Sequence, residues 1–267
     1  MTVYRHSLAV RLTHWIWALC LALLLMSGLQ IFNAHAALYW GQASDFDRPW
    51  LAMKAVEGAD GNAVGLTTVF GHQFNTTGLL GVSTGPDGEL LGRGFPAWIT
   101  VPSDQDLAAG RRWHFFFAWL LVFDGFAYYV FAFAAGHWRD LIPSRHQVAH
   151  IGHSIWDHLR LRFSHDAHYN VLQKLSYMAV LFVLLPLMVL TGLAMSPGVD
   201  SAVPALVTLF DGRQSARTIH FVTATALVLF FMIHVAMVLV SGAWNNMRSM
   251  ITGRYATKPT GGPDDKA

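Results

Sequence analysis

Four uninterrupted apolar stretches constrain this chain more than any other feature. They run from Leu12 to Phe32, Trp113 to Gly136, Val171 to Met195 and Thr218 to Trp244. A helix needs about 20 apolar residues to cross the hydrocarbon core of a bilayer, and each stretch reaches that length. The stretches are continuous rather than alternating, which favours helices over the strands of a closed barrel. Hydrophobic residues make up 54% of the chain and charged residues only 13%, too apolar a balance for a soluble domain of this length. The pattern predicts an all-α integral membrane four-helix bundle within residues 1–253, with a long outer loop (33–110) between the first two helices. The remaining residues, 254–267, are polar with Pro and Gly and are expected to form a disordered tail.

If all four stretches span, eleven of the eighteen Lys and Arg residues fall on one side and seven on the other, where the loops are longer. Basic residues concentrate on the cytoplasmic side of short loops, so both termini are expected in the cytoplasm. Arg111 and Arg112 run against this bias, beside His114. Ala34-His35-Ala36 has the form of a signal-peptidase site, but the run before it has span length rather than signal-core length, so its retention as a helix is expected.

The segment 33–110 carries turn signals at Gly58-Ala59-Asp60-Gly61 and Pro86-Asp87-Gly88. It also carries Trp40, Trp50, Phe70, Phe74, Phe95 and Trp98. So many aromatics argue against disorder and suit either a docking surface or a cap over the helices at headgroup level. On the other side, His146, His150, His153 and Asp157 share one face of a segment whose opposite face is apolar, the pattern of an amphipathic interfacial helix. A hydrated polar face accounts for these histidines without a metal. Pro186 should kink the third span by removing one backbone donor.

Four histidines lie within or at the ends of the apolar stretches. His220 and His234 are fourteen residues apart, close to four whole turns, so both rings face one way about 21 Å apart along the axis. His14 opens the first stretch and His114 the second. Alternating helix direction pairs them by depth, His14 with His234 and His114 with His220. Intramembrane imidazoles can simply hydrogen-bond neighbouring helices, but four that pair at two depths suit the axial ligation of two haem irons. Cys20 is the only cysteine, so neither an Fe–S cluster nor a covalent c-type haem can be built from this chain. Any haem here is non-covalent and b-type.

Arg11-Leu12-Thr13-His14-Trp15, followed by Ser27-Gly28, resembles the first helix of the four-helix di-haem cytochrome b superfamily. That group includes bacterial cytochrome b561 and the cytochrome b subunits of Ni,Fe-hydrogenases, formate dehydrogenases and thiosulfate reductases. The segment His168-Tyr169-Asn170-Val171-Leu172-Gln173-Lys174-Leu175-Ser176-Tyr177 resembles the start of the group's third helix, and His220 with His234 its fourth-helix ligand pair. The resemblance covers the spans, about two-thirds of the chain, and omits the outer loop. It implies two haem b groups, a location in the bacterial inner membrane, and electron exchange between a quinone pool and a periplasmic oxidoreductase of molybdenum-enzyme or hydrogenase type. An alternative is a self-contained quinone reductase acting on a small partner such as superoxide. The quinone is expected near the inner haem, where Tyr169, Asn170 and Gln173 offer hydrogen bonds. Asn170 could equally cap the helix. Asp124, the one acid inside a span, could relay protons toward that site or hydrogen-bond a neighbouring helix. Nothing marks a nucleic-acid partner.

Overall fold

A computed structural model describes residues 2–136, 138–149, 151–160 and 171–256. The chain begins with a short strand β1 (Thr2–Tyr4) and enters helix α1 (Leu8–Asn33). A run of strands follows: β2 (Ala37–Leu38), β3 (Leu51–Glu57), β4 (Ala63–Val69), β5 (His72–Asn75), β6 (Val82–Thr84) and β7 (Leu90–Gly92). Helix α2 (Leu107–Ala134) comes next, then the short helices α3 (Trp138–Leu141), α4 (Arg145–Ala149) and α5 (Ile151–Leu159). After these come α6 (Val171–Ala194), α7 (Pro197–Ala202), α8 (Pro204–Leu209), α9 (Arg213–Val240), α10 (Ala243–Thr252) and strand β8 (Arg254–Ala256).

Helices α1, α2, α6 and α9 are each long and apolar enough to cross a membrane, so the fold class holds for the spans. Three of them begin before their apolar stretches, whereas α6 begins with its own. Helix α2 starts six residues before Trp113 and α9 five before Thr218, because Asp106 and the Asp211-Gly212 turn start them in polar sequence. The Asp106 carboxylate accepts the Ala109 amide at 2.9 Å, an N-cap that satisfies one otherwise free donor. Phe116, Phe123, Phe126, Leu229 and Met232 are exposed along the spans, an apolar surface suited to lipid.

Pro186 acts differently from a plain kink. The turn just before it, Val180–Leu184, widens to a π-helix, which accommodates the missing donor and the crowding of the proline ring. The Tyr129 hydroxyl donates to the Leu181 carbonyl there, occupying an acceptor in the widened turn.

The all-α expectation fails between the first two spans. Instead of a loop, the segment folds into an antiparallel sheet in the order β2-β3-β4-β5 and a separate hairpin β6-β7. Strands β3 and β4 pair from Leu51↔Val69 to Glu57↔Ala63, closed by the Gly58–Asn62 turn in which Asp60 accepts the Asn62 amide. Strands β4 and β5 meet through a two-residue turn, Phe70-Gly71, with both residues at positive φ (46° and 84°). The expected tail also begins later than residue 254, since β8 pairs with β1 in the register Thr2↔Ala256. The rest of that tail lies outside the described residues.

The chain forms two compact units. One, the sheet-bearing unit, comprises Trp17–Phe123 and Leu187–Thr225. The other, the terminal unit, comprises Met1–Ile16, Asp124–Pro186 and Ala226–Ala267. Each holds part of every long helix.

Candidate functional site

In the sheet-bearing unit, His114 of α2 and His220 of α9 face each other with ring centroids 6.3 Å apart and planes tilted by 59°. Each lies seven residues into its helix, because both helices start well before the apolar sequence. A neighbouring helix holds each ring. Ser27 Oγ of α1 lies 3.1 Å from His114 Nδ1, and Thr191 Oγ1 of α6 lies 2.9 Å from His220 Nδ1. Each hydroxyl also donates one turn back, Ser27 to the Leu23 carbonyl and Thr191 to the Leu187 carbonyl, both at 2.6 Å. A glycine follows each hydroxyl and sits against the same ring. A Cβ at Gly28 would lie 3.4 Å from His114 Cε1, and one at Gly192 would lie 3.6 Å from His220 Cε1. Glycine at both positions keeps the space beside the imidazoles open.

In the terminal unit, His14 of α1 and His234 of α9 also lie with centroids 6.3 Å apart, tilted by 53°. The residues around His14 fix α1 locally. The Arg11 guanidinium donates to the Ile251 carbonyl and the Trp15 indole to that of Met250 at 3.2 Å, capping the end of α10. Trp15 meets His14 edge-on at 5.2 Å, and Phe230 stacks on His234 at 5.8 Å. Among the described residues His14 Nδ1 is buried without a hydrogen-bond partner, unlike the two histidines held by hydroxyls.

Both separations fit an iron between the rings, since two metal–nitrogen bonds of about 2 Å each plus the two half-rings span about 6 Å. The donor type is also right: paired imidazoles presented from apolar helices.

The other expected residues scatter. Gln173 is exposed on α6, whereas Tyr169 and Asn170 lie outside the described residues. Asp124 is half-buried on α2. Arg111 and Arg112 are exposed, with the Arg111 guanidinium over Phe115 at 5.5 Å. His146 lies on α4 and His153 on α5, and His150 is outside the described residues. Among the described residues no group of three His, Cys, Asp or Glu gathers as a metal site. Sequence reasoning missed Thr191 and Gly192. The signal was available, because Thr191-Gly192 repeats the hydroxyl–glycine pattern of Ser27-Gly28.

It also missed how firmly the strand segment is fastened beside His220. Arg217, three residues before that histidine, donates to the carbonyls of Ala37 (2.9 Å) and His35 and lies over the Phe32 ring. Thr218 donates to the Tyr39 carbonyl. Gly212, at φ +110°, packs so closely on Gly41 that a Cβ there would lie 2.6 Å from the Gly41 backbone. Asn33, at the end of α1, pairs with the Phe95 backbone through both its amide groups. His35 stacks on Tyr39 at 5.6 Å, and its Nε2 is buried without a hydrogen bond. Burial, helped by the nearby Arg217 and Lys54 charges, holds the His35 pKa below the usual value.

Known proteins bear on these pairs. A protein of Azospira oryzae named YedZ1, described as a subunit of a protein-methionine-sulfoxide reductase, is 34% identical over 135 residues. That match covers 49% of this chain and 66% of the relative, so the chain spans just under two-thirds of that protein. No solved structure matches. The prokaryotic cytochrome b561 family matches residues 5–253, which include every span and all four histidines. The chain therefore belongs to the prokaryotic cytochrome b561 family, the membrane-embedded, haem-binding cytochromes b of electron transport.

Proposed function

We propose that this chain carries two haem b groups, one between His14 and His234 and one between His114 and His220, and passes electrons between membrane quinone and a periplasmic oxidoreductase. The observation that carries the reading is the pair of equal separations, 6.3 Å between ring centroids in each unit. Bound haem supplies one-electron chemistry, and its axial ligands set the potential. The protein supplies opposed imidazoles and excludes water with apolar helices. Both termini face the cytoplasm in the bacterial inner membrane, following the basic-residue bias, and the strand segment faces the periplasm.

On that orientation His114 and His220 lie toward the outer face. The fourteen-residue step from His220 to His234 corresponds to about 21 Å of helix rise, which puts His234 toward the cytoplasm. Quinone reacts near that inner pair, where Gln173 and the adjoining Tyr169 and Asn170 offer hydrogen bonds. The strand segment is the docking surface. It leaves Trp40, Phe46, Trp50, Phe70, Phe74 and Trp98 exposed, with Trp40 stacked on Trp50 at 5.2 Å. Exposed aromatic patches of this kind favour protein contacts. The Azospira oryzae relative's description makes a methionine-sulfoxide reductase one oxidoreductase to test first.

The two ligands on α9 provide the test. His220→Ala should remove the outer haem and leave the inner haem reducible by quinol. His234→Ala should remove the inner haem and cut the quinone link, while a periplasmic partner still reduces the outer haem. Redox titration of each variant, with quinol and partner supplied separately, distinguishes them. Loss of one and the same haem in both variants would refute the pairing, and identical quinol responses would refute the depth assignment.

A further inference from the structure

We infer that Ser27 and Thr191 are positioning residues. They fix which nitrogen of His114 and His220 is free to bind iron, and so hold the outer haem at a lower potential than unassisted imidazoles would. The inference rests on the reading of these two histidines as one ligand pair.

A neutral imidazole has one N–H and one bare nitrogen, and the partner of one nitrogen decides the role of the other. A serine or threonine hydroxyl has a single proton. Here that proton goes to a backbone carbonyl one turn back, at 2.6 Å in both residues. A carbonyl can only accept, so the hydroxyl oxygen is left to accept from the ring. Nδ1 therefore carries the hydrogen in both histidines, and Nε2 presents its lone pair.

Donation of a hydroxyl proton to the carbonyl one turn back is common in buried helices and by itself implies nothing. Two further facts give it meaning. The same arrangement occurs on two different helices, α1 and α6, against two rings that face each other. Each hydroxyl is also followed by a glycine whose absent Cβ would have come within 3.4–3.6 Å of the same ring, so the imidazole is held while space beside it stays clear. In the other pair, His14 Nδ1 is buried with no hydrogen-bond partner among the described residues. The two pairs differ in this respect.

An imidazole that donates from Nδ1 is a more basic ligand at Nε2. A more basic ligand stabilises ferric over ferrous iron and lowers the potential, a recognised lever in haem proteins. Removing the hydroxyls should therefore favour the ferrous state at the outer haem alone.

The experiment is a spectroscopic redox titration of the full-length, haem-loaded protein in detergent. The variants are Ser27→Ala, Thr191→Ala and their double, with Ser27→Thr and Thr191→Ser as hydroxyl-retaining controls. In the double variant we expect about a tenfold shift toward ferrous iron at the outer couple, about 59 mV for one electron. The inner couple and both controls should keep the original potentials. If an alanine variant loses the outer haem while its hydroxyl control keeps it, the positioning role also stands. An unmoved outer couple in the double variant, with both haems bound, overturns the inference. The His220→Ala variant is titrated in parallel. If it retains two low-spin haems, the ligand assignment fails, which is a different outcome from an unmoved potential.

Discussion

Replacing Arg217 with Met should release the strand segment from α9 while leaving the four paired histidines in place. The side chain donates two charge-assisted hydrogen bonds, to the carbonyls of Ala37 and His35. Bonds of this kind contribute about 1.5–3 kcal/mol each, and their loss leaves two carbonyls at the start of the sheet unpaired. Arg217 is half-buried, so solvent screening reduces the effect, and about 2–4 kcal/mol is expected for the pair. Methionine keeps most of the apolar stem and its contact with Phe32, so the loss isolates the guanidinium. Lysine should recover little, because its point charge does not reproduce the planar fork that reaches two carbonyls. The assay is limited proteolysis of the detergent-solubilised protein, with haem spectra recorded alongside. Cleavage near residues 34–45 should accelerate by about 30-fold or more, since every 1.4 kcal/mol is a factor of ten in the opening equilibrium. The haem b spectrum should persist, because His220 keeps its contact with Thr191 on a different helix. Unchanged cleavage would show that Thr218, Gly212 and Asn33 hold the segment unaided, and that the arginine is not its fastening.

Haem should be extracted fully by acidified organic solvent at two groups per chain, since Cys20 is the lone thiol and is completely buried; one group or none after haem-replete expression would refute the paired sites. His35 is held below its usual pKa of about 6.5 by burial first and then by Arg217 and Lys54, so the unfolded chain binds the extra proton as pH falls through that value. Stability of the strand segment should therefore decline between pH 6.5 and the lower folded pKa and level off beneath it, and His35→Gln should flatten that slope in pH-dependent unfolding. Phe70 occupies a positive-φ position at 70% exposure, a strained setting for a bulky side chain. Phe70→Asn should leave melting temperature equal or higher while weakening partner binding, measured by pull-down or electron exchange, and unchanged binding would remove this turn from the docking surface.

Much of this protein is written in local sequence. Four apolar stretches specify four spanning helices, because a bilayer leaves backbone donors no other partners. Fixed helix rise and alternating direction then assign histidines to depths, so the partners that the structure brings together, His14 with His234 and His114 with His220, could be named from spacing. The strand segment was less legible. Its turn residues were visible, but β3 and β4 are partly exposed strands of mixed polarity, with Lys54 and Glu57 among the apolar residues, and their pairing is non-local. Helix ends also escaped, since Asp106 and Asp211-Gly212 extend α2 and α9 into polar sequence. What only the tertiary structure decided is which side chains hold His114 and His220. Ser27 is 87 residues from His114, and Thr191 is 29 from His220. Sequence fixes which face of a helix a hydroxyl occupies, but the neighbour it meets depends on how the helices pack. That packing turns a common helix-internal hydroxyl into the partner of a particular imidazole nitrogen.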